Sequence, residues 1–178
     1  MVQLPYTKKA VYTAACIALC VVLPMVFHAI PNAGNIWLPM HIPVLLCGLI
    51  CGWKFGLFCG LAGPFISCIL TQMPAVAHLP AMMLELTAYG TASGISANLI
   101  KTGNNFWDIE ISLVTALISG RIIYGIANAL LFQSGSYSIS AWITAVFVTA
   151  LPGIILELLL IPAIIIALQR ASLIPYRY

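Results

Sequence analysis

Charged side chains are scarce in this sequence, making up 6% of it against roughly 25% in soluble domains. So few ions exclude a water-soluble surface of ordinary size. A net charge of only +3 excludes the basic footprint that nucleic acid requires. No glycine-rich GxxxxGK[ST] loop is present to cradle phosphates, and no polar stretch is long enough for a separate soluble domain. Hydrocarbon fills the space instead: 62% of the residues are hydrophobic and the mean hydropathy is +1.08. A helix needs about 20 apolar residues to cross a ~30 Å hydrocarbon layer, so a chain of this length allows about five to seven crossings.

Breakers and polar clusters divide the chain into apolar segments at about 9–29, 39–53, 55–71, 79–99, 109–132 and 140–169. These predict an all-α membrane protein of six transmembrane helices, with residues 1–178 forming a single integral membrane domain. The second segment is short and carries Pro39 and Pro43, so it is expected to be tilted, broken or shielded by its neighbours. The first apolar run exceeds the core of a signal peptide and lacks a small-residue cleavage site, so it is expected to remain as a helix. Lys and Arg accumulate in cytoplasmic loops. With both termini cytoplasmic, Lys8, Lys9, Lys54, Lys101, Arg170 and Arg177 all fall on that side, while the opposite loops hold only neutral polar residues such as Asn32, Asn35 and Gln72. An odd number of crossings breaks this pattern.

Three ionisable side chains remain inside the apolar segments: Glu85, Arg121 and Glu157. Each is costly in hydrocarbon unless it is paired or faces a wet cavity, so all three should point inward. Arg121 and Glu157 both count to near mid-depth from the cytoplasmic ends of their segments and are the natural structural ion pair, although Arg121 is also a candidate ligand contact. Glu85 lies ~9 Å below the outer end of its segment, with no cation expected at that depth. An acid so placed can be held neutral, can accept hydrogen bonds from its helix, or can await a ligand. Tyr89 follows one turn later, and Tyr124 and Asn128 share a face with Arg121. Asn35, Trp37, His41, Gln72 and Trp142 converge on the same outer half, completing the parts of a small-molecule pocket. The tryptophans could equally belong to an interfacial belt, and Gln72 and Asn128 could serve hydrogen bonding between helices.

Ala10, Ala14 and Ala18 form a small-residue stripe along the first helix, suited to close approach by another helix inside or outside this chain. Gly52, Gly56, Gly60 and Gly63 do the same on the third segment and its lead-in. Cys16 with Cys20, and Cys47 with Cys51, stand four apart on helix faces, a spacing unsuited to disulfides; they read as small packing residues.

On this pattern, and on the blocks LPMHIPVLLCGLICGWKFG, LTQMP, LPAMMLELTAYG, ISGRIIYG and LPGIILELLLIP, the whole chain resembles the substrate-binding S-components of energy-coupling factor (ECF) vitamin transporters. The stripe Ala10, Ala14, Ala18 looks like that family's AxxxA helix-contact motif. The resemblance implies a non-catalytic subunit of a bacterial inner-membrane importer, which binds a vitamin or precursor from outside and topples on a transmembrane coupling subunit. Two separate ATPase subunits would supply energy, and no cofactor is expected in this chain. A lone outer carboxylate with aromatics nearby suits a heteroaromatic ligand such as a thiamine-precursor pyrimidine, a B6 vitamer or a queuosine-type deazapurine. An Arg121 released from Glu157 would instead suit a carboxylate such as pantothenate. Two rival functions stand beside this one. His28, His41 and His78 could hold a divalent metal for uptake, and Ser119 or Ser134 could serve an intramembrane hydrolase, although neither has a histidine base within reach.

Overall fold

The structure is a computed structural model describing residues 4–27, 36–129 and 139–175. Its helices are α1 (Tyr6–Phe27), α2 (His41–Cys51), α3 (Trp53–Thr71), α4 (Leu79–Leu99), α5 (Asn105–Ala127), α6 (Ile139–Ile143) and α7 (Leu151–Arg170), with a π-helical turn at Thr144–Thr149. There is no strand among the described residues. The last predicted segment is therefore broken, and Pro152 explains where. With no backbone N–H to continue a helical ladder from the preceding turn, it begins α7 instead.

Four of these helices, not six, are both long and apolar enough to cross a membrane: α1, α3, α5 and α7. Their outward faces are greasy, as in the exposed stripe Val114, Ile118, Ile122 and Ile126 of α5. The other two depart from the expectation for different reasons. α2 has 11 residues, about 16 Å, and covers half a crossing. α4 has 21 residues, long enough to cross, but it packs against α2, α3 and α5 and has little need of an apolar surface. Its buried face carries Glu85, Tyr89, Gly90, Ser93, Gly94 and Ser96, residues that permit close approach and hydrogen bonding between helices. Ser96 donates to the Ser112 carbonyl of α5 at 3.1 Å. A Cβ on Gly90 would strike the backbone of Gly56 in α3, and one on Gly56 would strike that of Gly90.

α2 and α3 are joined by a single residue, Gly52, whose φ of 94° favours glycine. Ahead of α2 the chain runs inside the bundle, with Leu38, Met40 and His41 only 5%, 3% and 2% exposed. The His41 N–H donates to the Leu38 carbonyl at 3.0 Å, closing the turn that starts the helix. The cysteines are free, and Cys16 alone is not fully buried. They occupy helix interfaces as expected; Cys47 donates to Thr13 of α1 at 3.5 Å.

One end of the bundle gathers the basic residues. Lys9, Lys54, Asn98 and Gln169 line a cavity of about 450 Å³ there, Asn105 and Gln169 exchange hydrogen bonds of 2.7 and 3.2 Å, and Tyr12 donates to the Leu173 carbonyl at 2.9 Å. Asp108 holds the α4–α5 connection by accepting from the N–H and hydroxyl of Thr102, both at 2.7 Å.

Candidate functional site

Three helices bring one ionisable residue each into one buried layer. Glu85 lies six residues after Leu79, Arg121 six before Ala127 and Glu157 six after Leu151. Six residues are ~9 Å of helix. α2 adds His41 at its first turn.

Glu85 is the hub of this layer. Its Oε1 accepts from the Tyr89 hydroxyl at 3.0 Å and from Arg121 Nη1 at 3.1 Å, and His41 Nε2 stands 3.6 Å away. The rings of His41 and Tyr89 lie 5.0 Å apart and tilted by 59°, and the Arg121 guanidinium sits 5.9 Å over the Tyr89 ring. All four residues are buried. Gly120 makes room for this arrangement, since a Cβ there would meet the Tyr89 ring.

Two expectations are thereby corrected. Glu85 is not without a cation, and Arg121 pairs with Glu85 instead of Glu157. The reason is register. α5 begins at Asn105 instead of 109, so Arg121 sits closer to the neutral end than counting from residue 109 places it, level with Glu85. Glu157 is left fully buried, with neither carboxylate oxygen hydrogen-bonded among the described residues. Arg121 and Glu85 are near enough to act on it electrostatically. Among the described residues, Arg121 Nε and Nη2 and both ring nitrogens of His41 have no hydrogen-bond partner.

The other expected site residues divide. Tyr124 is half-buried one turn from Gly120. The indole of Trp142 lies against Gly125, where a Cβ would come within 2.5 Å of Nε1, one helical turn from Arg121. Asn128 is buried but donates to the Tyr124 carbonyl at 2.9 Å, a bond within its own helix end. Trp37 lines a separate apolar groove of about 290 Å³ with Ile42, Leu156 and Leu160. Gln72 is exposed and ends α3 in a left-handed conformation. Asn35 and His28 lie outside the described residues. Gly125, which admits the Trp142 ring, lies on the face expected from the sequence beside Arg121, Tyr124 and Asn128, whereas Gly120, which admits the Tyr89 ring, was not foreseen; its place one residue before Arg121 was the available signal.

Among the described residues the rival chemistries do not assemble. His78 is exposed at the start of α4, seven residues or ~10 Å of helix from Glu85, where His41 sits. That gap is far beyond a shared bond of ~2 Å, and no cluster of three potential metal ligands occurs among the described residues. Ser119 gives its hydroxyl to the Thr115 carbonyl at 2.7 Å, and Ser134 lies outside the described residues. On α1, Ala10, Ala14 and Ala18 are all exposed, while Thr13 and Cys20 face inward. The alanine stripe is therefore not consumed by packing against the described helices.

One family profile, described as "ECF transporter, substrate-specific component", matches residues 8–165 of this sequence. The chain belongs to this family. No curated protein and no solved structure matches it. As an ECF substrate-specific component it is a multi-pass membrane protein that binds substrate for a transporter, in partnership with a coupling subunit. Burying four polar side chains that satisfy one another only in part is costly.

Proposed function

We propose that this chain captures a vitamin-like heteroaromatic molecule from outside a bacterial inner membrane, at the layer formed by His41, Glu85, Tyr89, Arg121 and Glu157. It then delivers the ligand by toppling on a transmembrane coupling subunit driven by two ATPase subunits. In this topology the basic end is cytoplasmic, as positive charge dictates. α2 completes its crossing through residues 36–40, of which Leu38, Pro39 and Met40 are buried, and α4 crosses shielded by its neighbours, making six passes. The observation that carries the reading is the unfilled hydrogen-bonding capacity of Arg121, His41 and Glu157 in an otherwise packed interior, since such groups are rare in folded proteins and call for a partner. Tyr89 and Trp142 supply the aromatic surfaces for a flat ring. No cofactor enters this scheme.

The test is direct. Protein purified in mild detergent, denatured and analysed by mass spectrometry should release a stoichiometric heteroaromatic compound, and ligand-free protein should show tryptophan quenching when that compound is returned. Absence of any bound molecule, together with no response to vitamins or nucleobases, overturns the reading. A second reading, a carboxylate ligand such as pantothenate, draws on the free Nε–Nη2 edge of Arg121, which is a two-donor fork suited to a carboxylate.

The exposed stripe makes a separate prediction. Ala14→Trp places a large ring on a face that a coupling helix would need to approach closely. It should abolish co-purification with the coupling subunit, lowering recovery at least about tenfold, while tryptophan quenching by ligand persists. Retained co-purification would assign the coupling surface elsewhere.

A further inference from the structure

The unfilled atoms of the buried layer form a pattern more specific than polarity. Glu157 offers two acceptor oxygens and, as a carboxylate, no donor. Arg121 spends Nη1 on Glu85 at 3.1 Å, which leaves Nε and Nη2. Those two nitrogens are the side-on edge of the guanidinium, a planar pair of parallel donors. The interior therefore presents one two-acceptor edge from α7 and one two-donor edge from α5.

Each edge rejects part of the candidate chemistry. A ligand with acceptors alone would satisfy Arg121 but leave Glu157 unpaired, and an anionic one would also bring further negative charge to a layer already holding two carboxyls against one guanidinium. A simple amine would meet Glu157 but leave the Arg121 edge dry. The surrounding surfaces, the Tyr89 ring beneath the guanidinium and the Trp142 indole over Gly125, favour a flat molecule over a tetrahedral zwitterion.

We infer that the ligand is a planar ring bearing a two-donor edge for Glu157 and a two-acceptor edge for the free side of Arg121, the chemistry of a 2-amino-4-oxopyrimidine fused to a second ring. In such a bicycle the ring N–H and exocyclic amine are the adjacent donors, while the oxo group and a neighbouring ring nitrogen are the acceptors that arginine engages bidentately in guanine. This deepens the proposed function and rests on it. Glu157 becomes the residue that selects the donor edge, whereas Glu85 is a positioning residue that holds Arg121.

The test is a ladder of probes on detergent-purified protein stripped of bound molecules, read by tryptophan fluorescence and thermal shift. Guanine carries both edges, hypoxanthine lacks the exocyclic donor, adenine replaces the oxo acceptor by an amine, and free histidine stands for a zwitterion. Guanine should bind at least about tenfold more tightly than hypoxanthine and more tightly still than adenine, because a site built for a polar group strongly rejects an analogue lacking it. Glu157→Gln should bring the guanine-to-hypoxanthine ratio towards one. Should that variant fail to fold, the ladder on the unaltered protein decides. Equal binding of the purines, or preference for hypoxanthine, adenine or histidine, overturns the inference. If no probe binds, the molecule released from freshly purified protein decides. A compound with both edges supports the inference; a compound without them sinks it while leaving the proposed function standing; and no compound at all sinks both.

Discussion

Replacing Glu85 by alanine should lower the unfolding free energy by about 3–5 kcal/mol, the usual cost of removing one partner from a buried ion pair. The carboxylate is 5% exposed and so is Arg121, and the two meet at 3.1 Å. Without Glu85 the guanidinium keeps its charge in a low-dielectric interior, and Tyr89 loses the acceptor of its hydroxyl proton. The loss should come from the orphaned cation, so Glu85→Ala combined with Arg121→Met, which removes the charge while keeping a flexible apolar stem, should recover most of it. Glu85→Gln should fall between, since an amide still accepts from Tyr89 but cannot neutralise Arg121. Unfolding in detergent by heat or by a denaturing surfactant measures all three. A loss below about 1 kcal/mol for Glu85→Ala, or a double variant no better than the single one, would mean that the pair is not a structural centre. Ligand affinity should fall in step with stability, because Glu85 acts by holding Arg121 in place.

The second large effect concerns a residue with no side chain. Gly90→Ala adds one methyl, yet that methyl would sit 2.5 Å from the Gly56 carbonyl carbon and 3.0 Å from its Cα. Overpacking costs typically 1–3 kcal/mol when side chains can yield. Here the obstacle is backbone on a facing helix, so the upper part of that range, about 3 kcal/mol, is expected. Gly103→Ala is a useful contrast, because no neighbour lies within 4 Å of its added methyl. Its positive φ of 90° confines the damage to local strain of about 1–3 kcal/mol. Only the Gly90 variant should loosen α3 from α4, detectable as faster hydrogen exchange along both helices. Unchanged exchange there would mean that the two backbones separate more readily than their contact implies.

Much of this architecture is legible in the sequence. The apolar segments, the inward placement of Glu85, Arg121 and Glu157 and the packing role of the cysteines follow from composition and spacing, because burying an ion has the same consequence in any helical bundle; the outward direction of the alanine stripe does not, since small residues at that spacing serve contacts inside or outside a chain equally. Pairing was not legible. Which acid meets Arg121 depends on where α5 starts, and the start is set by Asn104, whose side chain accepts from the Phe106 N–H at 3.0 Å to cap the helix earlier than hydropathy suggests. A shift of a few residues moves an arginine by a full turn and changes its partner. The polar character of α4 was hidden for a different reason. Hydropathy assumes that a helix meets lipid, whereas α4 meets other helices through Gly90, Ser93 and Ser96. The same assumption gives α2 a full crossing when Gly52 and the buried turn at Leu38 confine it to half of one.

The contact between Gly56 and Gly90 also bears on how force travels. Along that seam there is no compressible filling, so lengthwise slip of α3 past α4 would drive carbonyl into methylene. The outer helix α1 also leans on α3, with Cys20 Sγ 2.9 Å from where a Gly63 side chain would begin. A displacement of α1 along this seam should therefore pass to α3 and on to α4, the helix that carries Glu85.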